Sequence, residues 1–167
     1  EIKNNTEATE SVLKGINMMK NLNKLLSSML LLCFSNIVLA QDIIGSWQSV
    51  DDKTGAPKGV VKITKDVNGI YTGTVTKVTP RVGYTPKEHC IDCPAPFTNK
   101  RIIGLNVING LQQVDASNYA NGKILDPNTG KIYSVKAKLS PNGKKLVLRG
   151  YIGIAVLGRS QTWIKID

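Results

Sequence analysis

GVVKITKDVNGIYTGTVTKV, residues 59–78, decides the fold. Gly59–Asp66 and Gly69–Val78 read as two strands, and the Asn68-Gly69 pair in the turn between them is a strong short-range hairpin signal. The same rhythm continues on either side. Ile44–Val50 precedes the hairpin. Ile102–Asn109 (open to extension as far as Val114), Tyr119–Leu125, Lys131–Leu139, Lys144–Ile152 and Leu157–Ile166 follow it. Lys131–Leu139 alternates, with Tyr133, Val135, Ala137 and Leu139 on one face and Ser134, Lys136 and Lys138 on the other. Asp126–Gly130 and Ser140–Gly143 carry turn chemistry. Only Pro96–Arg101 has room for a short turn of helix. Tight hairpins without crossover helices make an antiparallel meander. Eight such strands suit an all-β, closed up-and-down barrel, whose interior is either filled or holds one small ligand. A sandwich would need Greek-key connections that these spacings do not suggest.

The segment ahead of the strands sets the compartment. Lys20 and Lys24, the apolar run Leu25–Leu32 and the Val38-Leu39-Ala40 ending before Gln41 read as a cleaved signal peptide over 18–40. Its apolar core is shorter than the roughly 20 residues of a membrane span. Cys33 leaves with the leader, and residues 1–17 read as an upstream extension outside the mature chain. The expected mature protein, residues 41–167, is a single domain of 127 residues, periplasmic or secreted from a bacterium. It carries 18 basic residues against nine carboxylates, a charge of +9. Such a field favours anionic partners such as lipid headgroups, polysaccharide or acidic small molecules. Nucleic acid is disfavoured by export and by the lack of an aromatic-basic platform.

EHCIDCP, residues 88–94, holds the only His of the chain and both cysteines of the mature segment. In an oxidising compartment Cys90 and Cys93 pair with each other. A redox centre or a metal site are the alternatives. The first should open a helix beside a parallel sheet, and the second wants four ligands, usually from two separated pairs. The staple is preferred, and no metal or cofactor is expected. The surrounding segment 80–101, with Pro80, Pro86, Pro94 and Pro96, stays out of central strands and reads as a plug, a flap or a ligand gate.

Two constellations carry expectations about side chains. Gly45 and Trp47 open the first strand, and Arg159 and Trp163 the last. Because these strands are neighbours in a closed meander, Arg159 is expected over Trp47, a contact of about 0.5–2 kcal/mol that would close the barrel. Arg149 lies mid-strand on the face of Val147 and Tyr151. If that face is internal, Arg149 is a buried cation in want of an anion; if external, it is a solvated edge.

The pattern Gly45-Ser46-Trp47, Cys90-x-x-Cys93, Gly122-Lys123-Ile124-Leu125-Asp126-Pro127, Gly130-Lys131-Ile132-Tyr133 and Leu148-Arg149-Gly150-Tyr151-Ile152-Gly153, running on to Leu157–Trp163, resembles the bacterial exported family catalogued as domain of unknown function 2147. The resemblance covers essentially all of 41–167 and implies a lipocalin-like (calycin) barrel, but no activity. No nucleophile elbow, phosphate loop or second His accompanies it, so an enzyme is not expected. The expected function is binding of a hydrophobic or amphipathic, anionic small molecule. Apolar strand faces would hold its tail, and Arg149 or Arg159 with Tyr71, Tyr133 or Tyr151 its polar head. The competing reading is an envelope interaction module, a filled barrel whose basic surface binds polysaccharide, lipid headgroup or protein.

Overall fold

The computed structural model describes residues 14, 15, 18, 41–52 and 54–167. The expected leader and upstream extension lie outside the described residues, apart from Lys14, Gly15 and Met18. Residues 40–167 form one compact unit. In it β1 (Gly45–Val50), β2 (Pro57–Lys65), β3 (Ile70–Val78), β4 (Asn106–Gln113), β5 (Asn118–Leu125), β6 (Ile132–Leu139), β7 (Lys145–Tyr151) and β8 (Arg159–Lys165) pair antiparallel in chain order. β1 meets β8, with Trp47 opposite Lys165 and Ser49 opposite Trp163, so the sheet closes into an eight-stranded barrel. Every buried hydrophobic side chain among the described residues lies between Ile43 and Trp163.

The hairpin at 66–69 forms as read. The Asp66 carboxylate accepts the Asn68 and Ile70 backbone N–H groups at 2.9 Å each, which fixes the turn. The alternation of β6 also holds, with Val135, Ala137 and Leu139 buried and Lys136 and Lys138 exposed. β4 departs from expectation. It begins at Asn106, not Ile102, because Ile102 and Leu105 are buried by a different route. The Ile102 N–H donates to Glu88 O at 2.8 Å, tying it to the long loop, while Gly104 and Leu105 exchange backbone bonds with Val75. β8 begins at Arg159, since residues 155–157 form a short 3-10 turn ahead of it.

The meander gives the barrel two unlike ends. One end collects the chain at 41–44, the turns at 66–69, 114–117 and 140–144, and the C-terminus. It is closed. The segment through Ile43 crosses it, held by the Trp47 indole N–H donating to Ile43 O at 2.8 Å and by the Tyr71 hydroxyl donating to Asp42 at 2.9 Å. The other end carries the β1–β2 connection, the 79–105 loop, the 126–131 turn and the 152–158 loop. There Cys90 and Cys93 form a disulfide, both sulfurs deep in the core cluster. This knuckle sits against Gly130, where φ is +71° and a Cβ would overlap the Asp92 carbonyl oxygen. Only glycine meets both demands.

Candidate functional site

Side chains pointing into the barrel change size along its axis. Toward the closed end they are Trp47, Tyr71, Ile108, Leu111 and Tyr119, all essentially inaccessible to solvent. Tyr71 and Tyr119 pack edge to face with ring centroids 5.2 Å apart. Toward the open end the inward positions are Val60, Val61, Val75, Val107 and Gly150, and the barrel is hollow. The register slip between Val60 and Val61 lets both valines line the space. The cavity has a volume of about 500 Å³, within the range of small-molecule sites. Leu148, Ile124 and Trp163 complete its apolar wall. Trp163 is 3% exposed, and its indole N–H has no hydrogen-bond partner among the described residues, so one donor stands unused in that wall.

The rim is cationic. Lys58, Lys77, Arg81, Lys87 and Arg159 line the mouth, against a single carboxylate, Asp126. Asp126 is already engaged by its own turn, accepting from Asn128 N–H and the Thr129 hydroxyl at 3.0 Å each. Arg159 pairs with Asp52 at 2.7 Å and Lys87 with Asp92 at 2.9 Å. The Arg81 guanidinium stacks 4.4 Å from the centre of the Tyr84 ring. Lys58 and Lys77 have no ion-pair partner among the described residues. Facing strands β2 and β3 therefore bring two unneutralised ammonium groups to one mouth, where their positive potential adds.

Of the residues singled out in the sequence, Tyr133, Tyr151, Arg159 and Trp163 line this cavity. Three expectations are corrected. Tyr71 belongs to the closed end, where its hydroxyl is used by Asp42. Arg149 points outward, because Leu146 and Leu148 on the alternate positions are the buried ones. Its guanidinium donates to Ala155 O at 2.6 Å, Val156 O at 2.7 Å and the Ser160 hydroxyl at 3.0 Å, so it braces the 152–158 loop. Arg159 does not reach Trp47; the cation 5.6 Å from the Trp47 ring is Lys165. Gly45 lies at the closed end beside the terminal Asp167, which accepts the Ser46 N–H at 2.6 Å. The sequence reading missed Lys58, Lys77 and Arg81. Their signal was present: each sits at or just beyond a strand end on the side of the long 79–105 loop.

Ionisation differs between the ends as well. Burial, reinforced by the Asp42 charge, pushes the Tyr119 hydroxyl far above its ordinary value. Burial likewise raises Tyr71, outweighing the opposing hydrogen bond with Lys65, whose own value is raised chiefly by that bond. Among the described residues no group of three or more His, Cys, Asp or Glu side chains converges as a metal site would require.

A family profile described as an uncharacterized protein conserved in bacteria, domain of unknown function 2147, matches residues 45–165, the whole barrel. The chain belongs to this family. Among solved structures it is similar to protein HP1028 from Helicobacter pylori, described as belonging to the lipocalin family. The TM-score is 0.63 and the identity 20%, with 75% of this chain and 84% of that one covered. At that identity the likeness establishes a lipocalin-like fold for this member of the family and nothing further. No curated protein sequence matches the chain.

Proposed function

We propose that this member of the family is an exported binding protein for an amphipathic anion with a long apolar part. The observation that carries this reading is the apolar cavity of about 500 Å³ opening at a rim of five cations. The apolar part fills the space between Val61, Val75, Val107 and Trp163. The charged head meets Lys58 and Lys77, with the Tyr133 and Tyr151 rings beside it. Burying hydrocarbon supplies roughly 25 cal/mol per Å² removed from water, and the cations select a charged head over a neutral one. Donors on Lys, Arg and Tyr side chains outnumber the one lining carboxylate, Asp126, a balance suited to holding an anion. Export is supported by the Cys90–Cys93 disulfide, a linkage that persists in oxidising compartments, and by the leader-like 18–40. The similarity to a protein described as a lipocalin agrees with the reading.

The test is native mass spectrometry of residues 41–167 recovered from a bacterial periplasm, followed by competition between a long-chain carboxylate and the alcohol of equal length. Carriage of an amphipathic anion, and preference for the carboxylate that weakens in Lys58→Gln/Lys77→Gln, are the expected results. Equal binding of alcohol and carboxylate would remove the rim from the account. No binding of either would overturn the reading in favour of a surface interaction module.

A further inference from the structure

The loop between β7 and β8 holds its apolar side chains outward. Ile152, Ile154, Val156 and Leu157 are 70%, 63%, 80% and 80% exposed, within six consecutive residues. A flexible loop of this composition would turn those side chains onto the adjacent cavity wall. This one is restrained. The Arg149 guanidinium binds the carbonyls of Ala155 and Val156 and the Ser160 hydroxyl, and Gly158 N–H donates to Ala155 O at 3.1 Å. Charge-assisted, forked bonding of this kind gives geometric definition as well as energy. Its result is a braced tip with aliphatic side chains presented to the outside. Exposed apolar groups concentrated in this way mark an interaction surface.

Position and charge identify what covers it. Ile152, Leu157 and Gly158 also line the cavity mouth, so the tip stands at the edge of the open end. At the same mouth Arg81 opens a tight turn with Tyr84, and Val82 in that turn is fully exposed. The cations Lys58, Lys77, Arg81, Lys87 and Arg159 collar the opening between these apolar points. Aliphatic tips set in a ring of Lys and Arg are complementary to the headgroup region of an anionic bilayer. The cations meet lipid phosphates there, and the tips reach the acyl boundary. A protein partner would need an acidic rim around an apolar socket; a lipid surface offers both by its nature.

The geometry points to the open end as a docking surface for an anionic membrane, with the Ile154–Val156 tip inserted and the cavity mouth facing the lipid. This docking is independent of what the cavity carries. If the proposed function also holds, ligand passes between bilayer and cavity without crossing water.

The experiment is co-flotation of residues 41–167, which exclude the apolar 18–40 stretch, with vesicles of phosphatidylcholine containing a minority of phosphatidylglycerol, and with phosphatidylcholine alone. Binding is expected to the first. It should weaken as salt rises from about 0.1 M to about 1 M, which shortens the Debye length from about 10 to 3 Å. Ile154→Ser/Val156→Ser touches neither the core nor the cavity lining. It should keep the thermal midpoint yet lose roughly tenfold or more in partitioning. In Ile154→Trp, indole emission should shift to the blue on anionic vesicles. Absence of binding to the anionic vesicles overturns the proposal. So does binding that the double serine variant retains in full, since the lipid would then be held through the cavity or the general charge.

Discussion

The closed and open ends of this barrel are built from the same eight strands and differ in what the strands point inward. At the closed end Trp47, Tyr71 and Tyr119 fill the interior, and two of the three have named hydrogen-bond partners. Asp42, partly buried there, is met by Lys65 at 3.5 Å as well as by Tyr71. At the open end valines and Gly150 leave a cavity and, among the described residues, an indole donor is unused and Lys58 and Lys77 lack ion-pair partners. Core side chains normally pack without voids, and polar groups normally find partners. The closed end follows the packing rule, although the buried Tyr119 hydroxyl has no hydrogen-bond partner there among the described residues; the open end relaxes both rules. The difference separates a filled half of the barrel from a hollow one.

The largest effect to set against this comparison is the loss of a side chain at the closed end. Trp47→Ala should destabilise residues 41–167 by about 3–5 kcal/mol, measured by urea unfolding. At the open end the corresponding experiment is addition. Val75→Phe should change stability by less than about 1.5 kcal/mol, because the cavity accepts the ring, while ligand binding falls sharply. Equal destabilisation by both would mean that the cavity is not a tolerant space.

The disulfide comes next. Cys90→Ala/Cys93→Ala opens a loop of only four residues, which the chain-entropy model values at about 2 kcal/mol. Hydrogen exchange should show the loss of protection concentrated in 79–105, with the β-strands little changed. Uniform loss across the strands would make the staple part of the barrel core proper.

A pH effect should belong to the closed end. Tyr119 has a folded value raised above its unfolded value, so its contribution to stability is complete below about pH 10 and is lost as pH climbs toward the folded value. Unfolding midpoints should therefore fall above about pH 10 in the native chain and fall less in Tyr119→Phe. On the acid side Asp115 acts in the opposite sense. The Ser117 N–H chiefly, with the Asn118 donors, holds its carboxyl below the ordinary range, so its contribution is present at neutral pH and fades on acidification. Asp115→Asn should flatten that limb.

The smallest stability effect is expected at the rim. Arg159→Gln breaks the pair with Asp52, but the Arg159 side chain is 73% exposed, and such surface pairs are worth at most about 1 kcal/mol. The thermal midpoint should barely move.

The strands were legible because their punctuation was: Asn68-Gly69, Asp126–Gly130 and Ser140–Gly143 each end a strand where the structure does. Ile102–Leu105 misled because an apolar run is buried equally well as a strand or as a loop folded onto the core. Hydrophobicity does not distinguish the two. The contact expected between Arg159 and Trp47 failed for a reason available on paper. In an antiparallel pair the start of β8 lies beside the end of β1, so Arg159 and Trp47 stand at opposite ends. Arg149 could likewise have been placed outside from Leu146 and Leu148, the apolar residues on the alternate face. Which end would be hollow was not legible. It depends on how inward side-chain sizes from all eight strands sum at each level of the barrel, and bulges such as that at Val60 and Val61 shift the count.

The two tryptophans report on the two ends separately. The indole N–H of Trp47 is bonded to Ile43 at the closed end, and that of Trp163 has no partner in the cavity wall. Titrating residues 41–167, with ¹⁵N in the indoles, with a long-chain carboxylate should move the Trp163 signal and leave the Trp47 signal in place. Movement of Trp47 alone, or of neither signal at saturating ligand, would contradict the assignment of binding to the open end.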